Sequence, residues 1–228
     1  MQVNMKLLVL ESVLTVAAFA LALFLPAGTI AWPAGWAFMA LYLGFMILCG
    51  LWLLRHNPGL LMERMTGFVR PGQNPWDRFF FAVFLGLFFG WLVLMPLDAV
   101  RFHWSHMPVW LQTAGAAVLL GSFSLFFLTF RANPYLSPAV RVQRERGHVV
   151  ISSGPYRYVR HPMYAALIPH QVGIALLVGS WYGLICTPIF VVGIAARALF
   201  EERMLRAELP GYEEYMARVK YRFVPHLW

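Results

Sequence analysis

The stretch "RHPMYAALIPHQVGIALLVGSWYGLICTPIFVVGIAARALFEE", residues 160–202, decides the fold. Its apolar part, residues 163–200, runs for about 38 residues, well beyond the roughly 20 that one helix needs to cross a bilayer. It is interrupted at "VGSWYG", residues 178–183, where Gly and Ser mark a tight turn. The reading is a helical hairpin. Arg160 and His161 stand at its entry, and Arg197, Glu201 and Glu202 at its exit. Pro162 restrains His161 to an extended conformation and suits the first turn of a helix, so the hairpin begins there.

Working outward, four further apolar runs are long enough to span a membrane: residues 7–25, 34–54, 79–97 and 108–130. Of 228 residues, 60% are hydrophobic and 12% charged, against about 25% charged in soluble domains. The expected fold is all-α: a polytopic integral membrane protein with four transmembrane helices, then a helical membrane hairpin and a cytoplasmic C-terminal helix. The expected division is residues 1–130, membrane helices that shape a substrate pocket, and residues 131–228, the polar loop, hairpin and C-terminal helix. The first span lacks a strongly basic lead-in and a convincing small-x-small cleavage site, and is expected not to be a signal peptide. The tail from residue 201 is polar and expected to be mostly helical as far as Pro225. Leu205, Leu209, Tyr212 and Met216 give it one apolar stripe.

With the N-terminus inside, the inner segments hold 17 of the 18 Lys and Arg residues, Arg101 being the exception. This obeys the positive-inside rule and puts the N-terminus, the 131–160 loop and the C-terminus in the cytoplasm. The net charge of +8 then reads as membrane anchoring, with no nucleic-acid partner. Trp32, Trp36, Trp76, Trp104, Trp110, Trp181 and Trp228 lie near span ends, as interface anchors do. Cys49 and Cys186 fall in apolar runs and read as buried hydrophobes, with no disulfide or metal role. There is no G-x-G-x-x-G, P-loop, H-E-x-x-H or C-x-x-C, which argues against a soluble-type nucleotide fold, an ATPase or a zinc enzyme.

Three polar clusters are candidates for chemistry. In "RHPMY", residues 160–164, Arg160 and His161 flank a helix N-terminus, where free N–H groups and the dipole attract anions; an interfacial anchor is the competing reading. In "RALFEE", residues 197–202, Arg197 and Glu201 share a helix face, as an ion pair or as a functional pair at the end of an apolar helix. In "VQRERGHVV", residues 142–150, Gln143 and His148 adjoin the apolar Val149-Val150-Ile151. Glu11 and His170, ionisable but inside apolar runs, are left outside the site.

The segments "GHVV", "GPYRYVRHPMY" and "RALFEERMLRAELPGYEEY" occur in order. Together they resemble the isoprenylcysteine carboxyl methyltransferase family, to which the membrane phospholipid methyltransferases are related. The resemblance covers about residues 133–225. It implies S-adenosyl-L-methionine as cofactor, contacted by Gln143, His148, Val149, Val150, Ile151, Tyr156, His161, Pro162, Met163, Tyr164 and Glu201. It also implies Arg197 facing the carboxylate of a prenylated or lipid-like acceptor. Ala166 stands where the family often has Gly.

The residues agree chemically. The N-terminus of the first hairpin helix with His161 and Arg160 suits the cofactor carboxylate, Glu201 its ammonium, and Tyr156 with Val149–Ile151 its adenine. Arg160, Arg197 and Glu201 are the expected catalytic set, with Arg197 holding a carboxylate bidentately. Methyl transfer needs alignment and exclusion of water more than acids and bases, so no metal is expected. Phospholipid amine methylation and an NADPH-dependent sterol-type membrane reductase are the alternatives; a scaffold or transporter fits less well.

Overall fold

The computed structural model describes residues 3–65 and 73–228. Part of the expected inner loop, residues 66–72, lies outside the described residues. The described residues contain helices and no strand. They are α1 (Met5–Ala27), α2 (Pro33–His56), α3 (Pro58–Met65), α4 (Pro75–Pro96), α5 (Val109–Ala132), α6 (Pro162–Val178), α7 (Trp181–Glu208) and α8 (Tyr212–Arg218). A π-helical turn, Leu97–Arg101, extends α4. Five helices are long and apolar enough to cross a membrane: α1, α2, α4 with its π turn, α5 and α7. They make this an integral membrane protein. α6, with 17 residues, is apolar but shorter.

Proline punctuates the chain at helix starts, where its missing N–H costs nothing. α2, α3, α4 and α6 begin on Pro33, Pro58, Pro75 and Pro162. α6 and α7 form the expected hairpin around Gly179 and Ser180. Gly179 has φ 85°, a left-handed conformation open to glycine, and its N–H closes the last turn of α6. Ser180 caps α7 by accepting the Gly183 N–H at 2.8 Å. The buried Asp98 carboxylate accepts from Ser105 and Ser180, each at 2.6 Å, and so pins this turn to the end of α4.

α5 and α6 pack backbone to backbone. A Cβ on Gly173 would lie 2.8 Å from Leu119 N, and one on Gly115 would lie 2.5 Å from Leu177 N. Small residues permit such approaches between apolar helices, which gain little from hydrophobic burial against one another in lipid. The apolar surface left outside, including Leu21, Leu25, Ile185 and Val192, is the kind that faces acyl chains.

The tail differs from expectation. α7 continues through the expected boundary at residue 200 as far as Glu208. The helix then breaks at Pro210 and Gly211 (φ 83°), α8 has seven residues, and Val219 leaves it. The stripe survives the break: Leu205, Leu209 and Tyr212 are buried together, with Met216 packed against them. The segment after α8 then folds back, and the N–H groups of Arg160 and His161 donate to the carbonyls of Tyr221 and Arg222, each at 2.9 Å. Trp32 also departs from the anchor reading. It is buried, packed over Gly35 and Phe24, whereas Trp36, Trp104 and Trp110 are exposed.

Candidate functional site

One end of the bundle opens into a cavity of about 250 Å³. Its walls come from the 133–141 and 148–151 segments, the N-terminus of α6, the end of α7, α8, and the Phe80, Phe81 and Phe84 side of α4. Of the residues expected at a site, His148, Val149, Val150, Ile151, Tyr156, Arg160, His161, Met163, Tyr164, Arg197 and Glu201 all line it. They converge because the hairpin returns the end of α7 to the start of α6, and the tail clamps both.

Two expected residues stand behind the wall. Gln143 is fully buried; its amide donates to the Tyr135 carbonyl at 2.7 Å and accepts from Arg146, so it shapes the loop from within. Pro162 is buried at the start of α6 and sets the helix direction. Ala166 is completely buried, so the small residue at that position is a packing requirement. Glu11 and His170 do not line the cavity; His170 lies between Phe123 and Phe126 of α5.

Arg160, expected beside an anion, is bound into the fold. Its Nε donates to Glu202 at 2.7 Å, and its Nη1 donates to the carbonyls of Val219 and Lys220, each at 2.8 Å. Glu202 also accepts from Arg222 at 3.0 Å and lies 3.1 Å from His161 Nε2. A buried guanidinium needs a counter-charge and acceptors, and the tail supplies both. Arg160 is thus a clamp between hairpin and tail that also forms cavity wall.

Arg197 is likewise engaged within the fold. Its partner is Asp77 of α4, rather than Glu201 one turn along α7. Nε and Nη2 both lie 3.0 Å from Asp77 Oδ1, Nη2 donates to the Pro138 carbonyl at 2.6 Å, and Nη1 donates to Tyr164 Oη at 3.0 Å. Each of the three guanidinium nitrogens thus donates one hydrogen bond within the fold, and Asp77 neutralises the charge, so the group is already engaged on all its nitrogens. The Tyr164 hydroxyl in turn donates to Glu201 at 2.6 Å. Arg197, Tyr164 and Glu201 form one relay along the wall. Among the described residues Glu201 makes no ion pair.

Asp77 was not expected. It is fully buried and also accepts from Gln73 Nε2 at 2.8 Å and the Val140 N–H at 2.9 Å. In the sequence it lies outside every motif. Two further features leave hydrogen-bonding groups unused. The Tyr212 hydroxyl is buried on the wall and has no hydrogen-bond partner. The Met163 and Tyr164 N–H groups, in the first turn of α6, lack a side-chain cap. His148 stacks on Tyr135 at 4.5 Å, and its Nδ1 accepts the Gln143 N–H at 3.3 Å. Burial first, then Arg146 and Arg141, pull its pKa down to about 4, so the ring is neutral.

The architecture defines a helical membrane protein with a mixed polar and aromatic cavity at the mouth of a hairpin. Residues 110–209, which run from α5 through α7, match the sequence model of the phospholipid methyltransferase family. The match includes the segments that carry the resemblance to isoprenylcysteine carboxyl methyltransferases as far as residue 209, and implies a membrane methyltransferase. A comparison with curated proteins finds no match.

Proposed function

We propose that the chain transfers a methyl group from S-adenosyl-L-methionine to a lipid-like acceptor within this cavity. The observation that carries the reading is Glu201. It is the only carboxylate on the cavity wall among the described residues, it makes no ion pair, and it is oriented by Tyr164. A carboxylate held by a hydroxyl but by no cation suits the cofactor's ammonium. The uncapped N-terminus of α6 suits its carboxylate. Tyr156, the Val149–Ile151 segment and the unsatisfied Tyr212 hydroxyl suit the adenosine. When bound, the cofactor supplies an electrophilic methyl group on a sulfonium.

The chain's contribution is alignment and water exclusion. Phe80, Phe81, Phe84, Leu167 and Ile194 form an apolar side to the cavity, fit for a prenyl or acyl chain. The leading acceptor is the carboxylate of a prenylated cysteine or a similar amphiphile, which needs no base because it is already ionised. A phospholipid amine is the second reading. The family match favours it, as does the neutralisation of Arg197 by Asp77, which weakens the case for a dedicated carboxylate fork. The cavity end is assigned to the cytoplasm, since the segments meeting there carry the basic residues.

The test is binding and transfer with the purified full chain. Labelled S-adenosyl-L-methionine binds, and E201Q weakens it about tenfold or more while R197K spares binding and lowers turnover. A methyl-transfer panel of prenylcysteines and phosphatidylethanolamine separates the two acceptors. Absence of S-adenosyl-L-methionine binding, or unaltered binding by E201Q, overturns the reading.

A further inference from the structure

Four arginines line the cavity: Arg64, Arg141, Arg160 and Arg197. Three of them are neutralised. Arg141 pairs with Glu63 at 3.0 Å and Glu145 at 2.6 Å, Arg160 with Glu202, and Arg197 with Asp77. Arg64, in the last turn of α3, makes no ion pair among the described residues. It is held by one hydrogen bond, Nη1 to the Leu136 carbonyl at 3.3 Å, and by the Phe130 ring, 4.5 Å from its Cζ. Its Nε and Nη2 have no partner and are not among the sealed-off polar atoms, so they keep accessible surface in a residue that forms cavity wall.

Among the described residues, the cavity thus carries two charges without an ion pair, Glu201 and Arg64, and they sit in different company. The titratable groups near Arg64 are Tyr42 and Cys49 of α2, a membrane helix. Those near Glu201 are Tyr156, Tyr164, Arg197 and Tyr212, around the hairpin mouth. A half-buried guanidinium without a counter-ion carries a desolvation cost, and an aromatic ring offsets only part of it. A guanidinium so placed is suited to an anion that arrives with a ligand.

We propose that Arg64 binds the anionic group, carboxylate or phosphate, of the amphiphilic acceptor, where the cavity wall meets Phe130 and the Leu136 carbonyl. The proposal rests on the cavity being the methyl-transfer site. It moves recognition of the acceptor's charge from Arg197, which Asp77 neutralises, to Arg64, which lies outside the region matched by the family. Carboxylate and phosphate share the chemistry; the probes below separate them.

The probes are decanoate, decyl phosphate and the uncharged decan-1-ol, titrated against the full chain and R64Q by thermal shift, with S-adenosyl-L-methionine binding measured in parallel. Decanoate or decyl phosphate stabilises the wild type and decan-1-ol does not. R64Q loses about tenfold in affinity for the anion, the loss of one charge-assisted contact, and keeps its S-adenosyl-L-methionine affinity. The anion that binds more tightly identifies the acceptor class. Equal stabilisation by decan-1-ol, anion affinity unchanged in R64Q, or loss confined to S-adenosyl-L-methionine overturns the proposal. Failure of the wild type to bind S-adenosyl-L-methionine instead overturns the cofactor reading, whatever the anions do. Phenylglyoxal labelling of the wild type, mapped by peptide mass spectrometry, needs no variant: protection of Arg64 by decanoate or decyl phosphate supports the proposal, and labelling indifferent to both overturns it.

Discussion

The Arg197–Asp77 pair should behave as one unit, and the structure fixes how large the effect is. Replacing Arg197 with Met removes the bonds to Asp77, to Tyr164 and to the Pro138 carbonyl. A bond between charged partners contributes about 1.5–3 kcal/mol, and each of the other two about 1 kcal/mol. Asp77, with no exposed surface, is left charged with only Gln73 and the Val140 N–H as donors. The sum falls at about 3–5 kcal/mol, the range for breaking a buried ion pair by removing one partner. D77N strands the Arg197 charge instead and has a similar cost. In the double variant R197M/D77N neither charge is stranded, so its cost falls well below the sum of the two. The assay is a double-mutant cycle by equilibrium denaturation in a fixed detergent, read by tryptophan fluorescence. A coupling energy of about 2 kcal/mol or more is expected. Single variants that add to within about 0.5 kcal/mol would refute the pairing and, with it, the case that Arg197 is engaged within the fold.

Two further outcomes follow from the wall. The ordinary pKa of His148 is 6.5 and its value in the fold is about 4. The unfolded chain therefore takes up the proton first: this stability is fully present above about pH 6.5 and is lost as pH falls toward 4. H148Q should flatten the decline in thermal stability over that window, and an unchanged profile would count against the neutral ring. Y212F removes a buried hydroxyl that has no partner. It should leave the free protein as stable or up to about 1 kcal/mol more so, while weakening S-adenosyl-L-methionine binding severalfold by calorimetry. Destabilisation with unaltered binding would show that the hydroxyl serves the fold.

The site was legible to the extent that it lies on contiguous motifs. His148 to Ile151, Tyr156, Arg160, His161, Met163, Tyr164, Arg197 and Glu201 all reach the cavity because each sits within a few residues of a loop or helix end that the apolar pattern locates. What each does there was not legible. Arg160 is turned toward Glu202 and the tail, Gln143 faces the interior of its own loop, and Asp77 and Arg64 lie outside every motif. A charged residue beside an apolar run has the same local signature whether it meets headgroups, a partner 120 residues away or a ligand.

The amino-acid sequence by itself determined the long apolar helices, the hairpin and its turn, and the crowding of polar groups at the hairpin's mouth. Those properties depend on hydropathy over about 20 residues and on the backbone preferences of Pro and Gly, both local quantities. Only the tertiary structure decided which charges cancel. Neutralisation of a buried guanidinium depends on which carboxylate comes within about 3 Å of it, and Asp77–Arg197 and Arg160–Glu202 join elements far apart in the chain. Among the described residues, that pairing leaves Glu201 and Arg64 as the two cavity charges without an ion pair, and so separates them from the charges that hold the fold together.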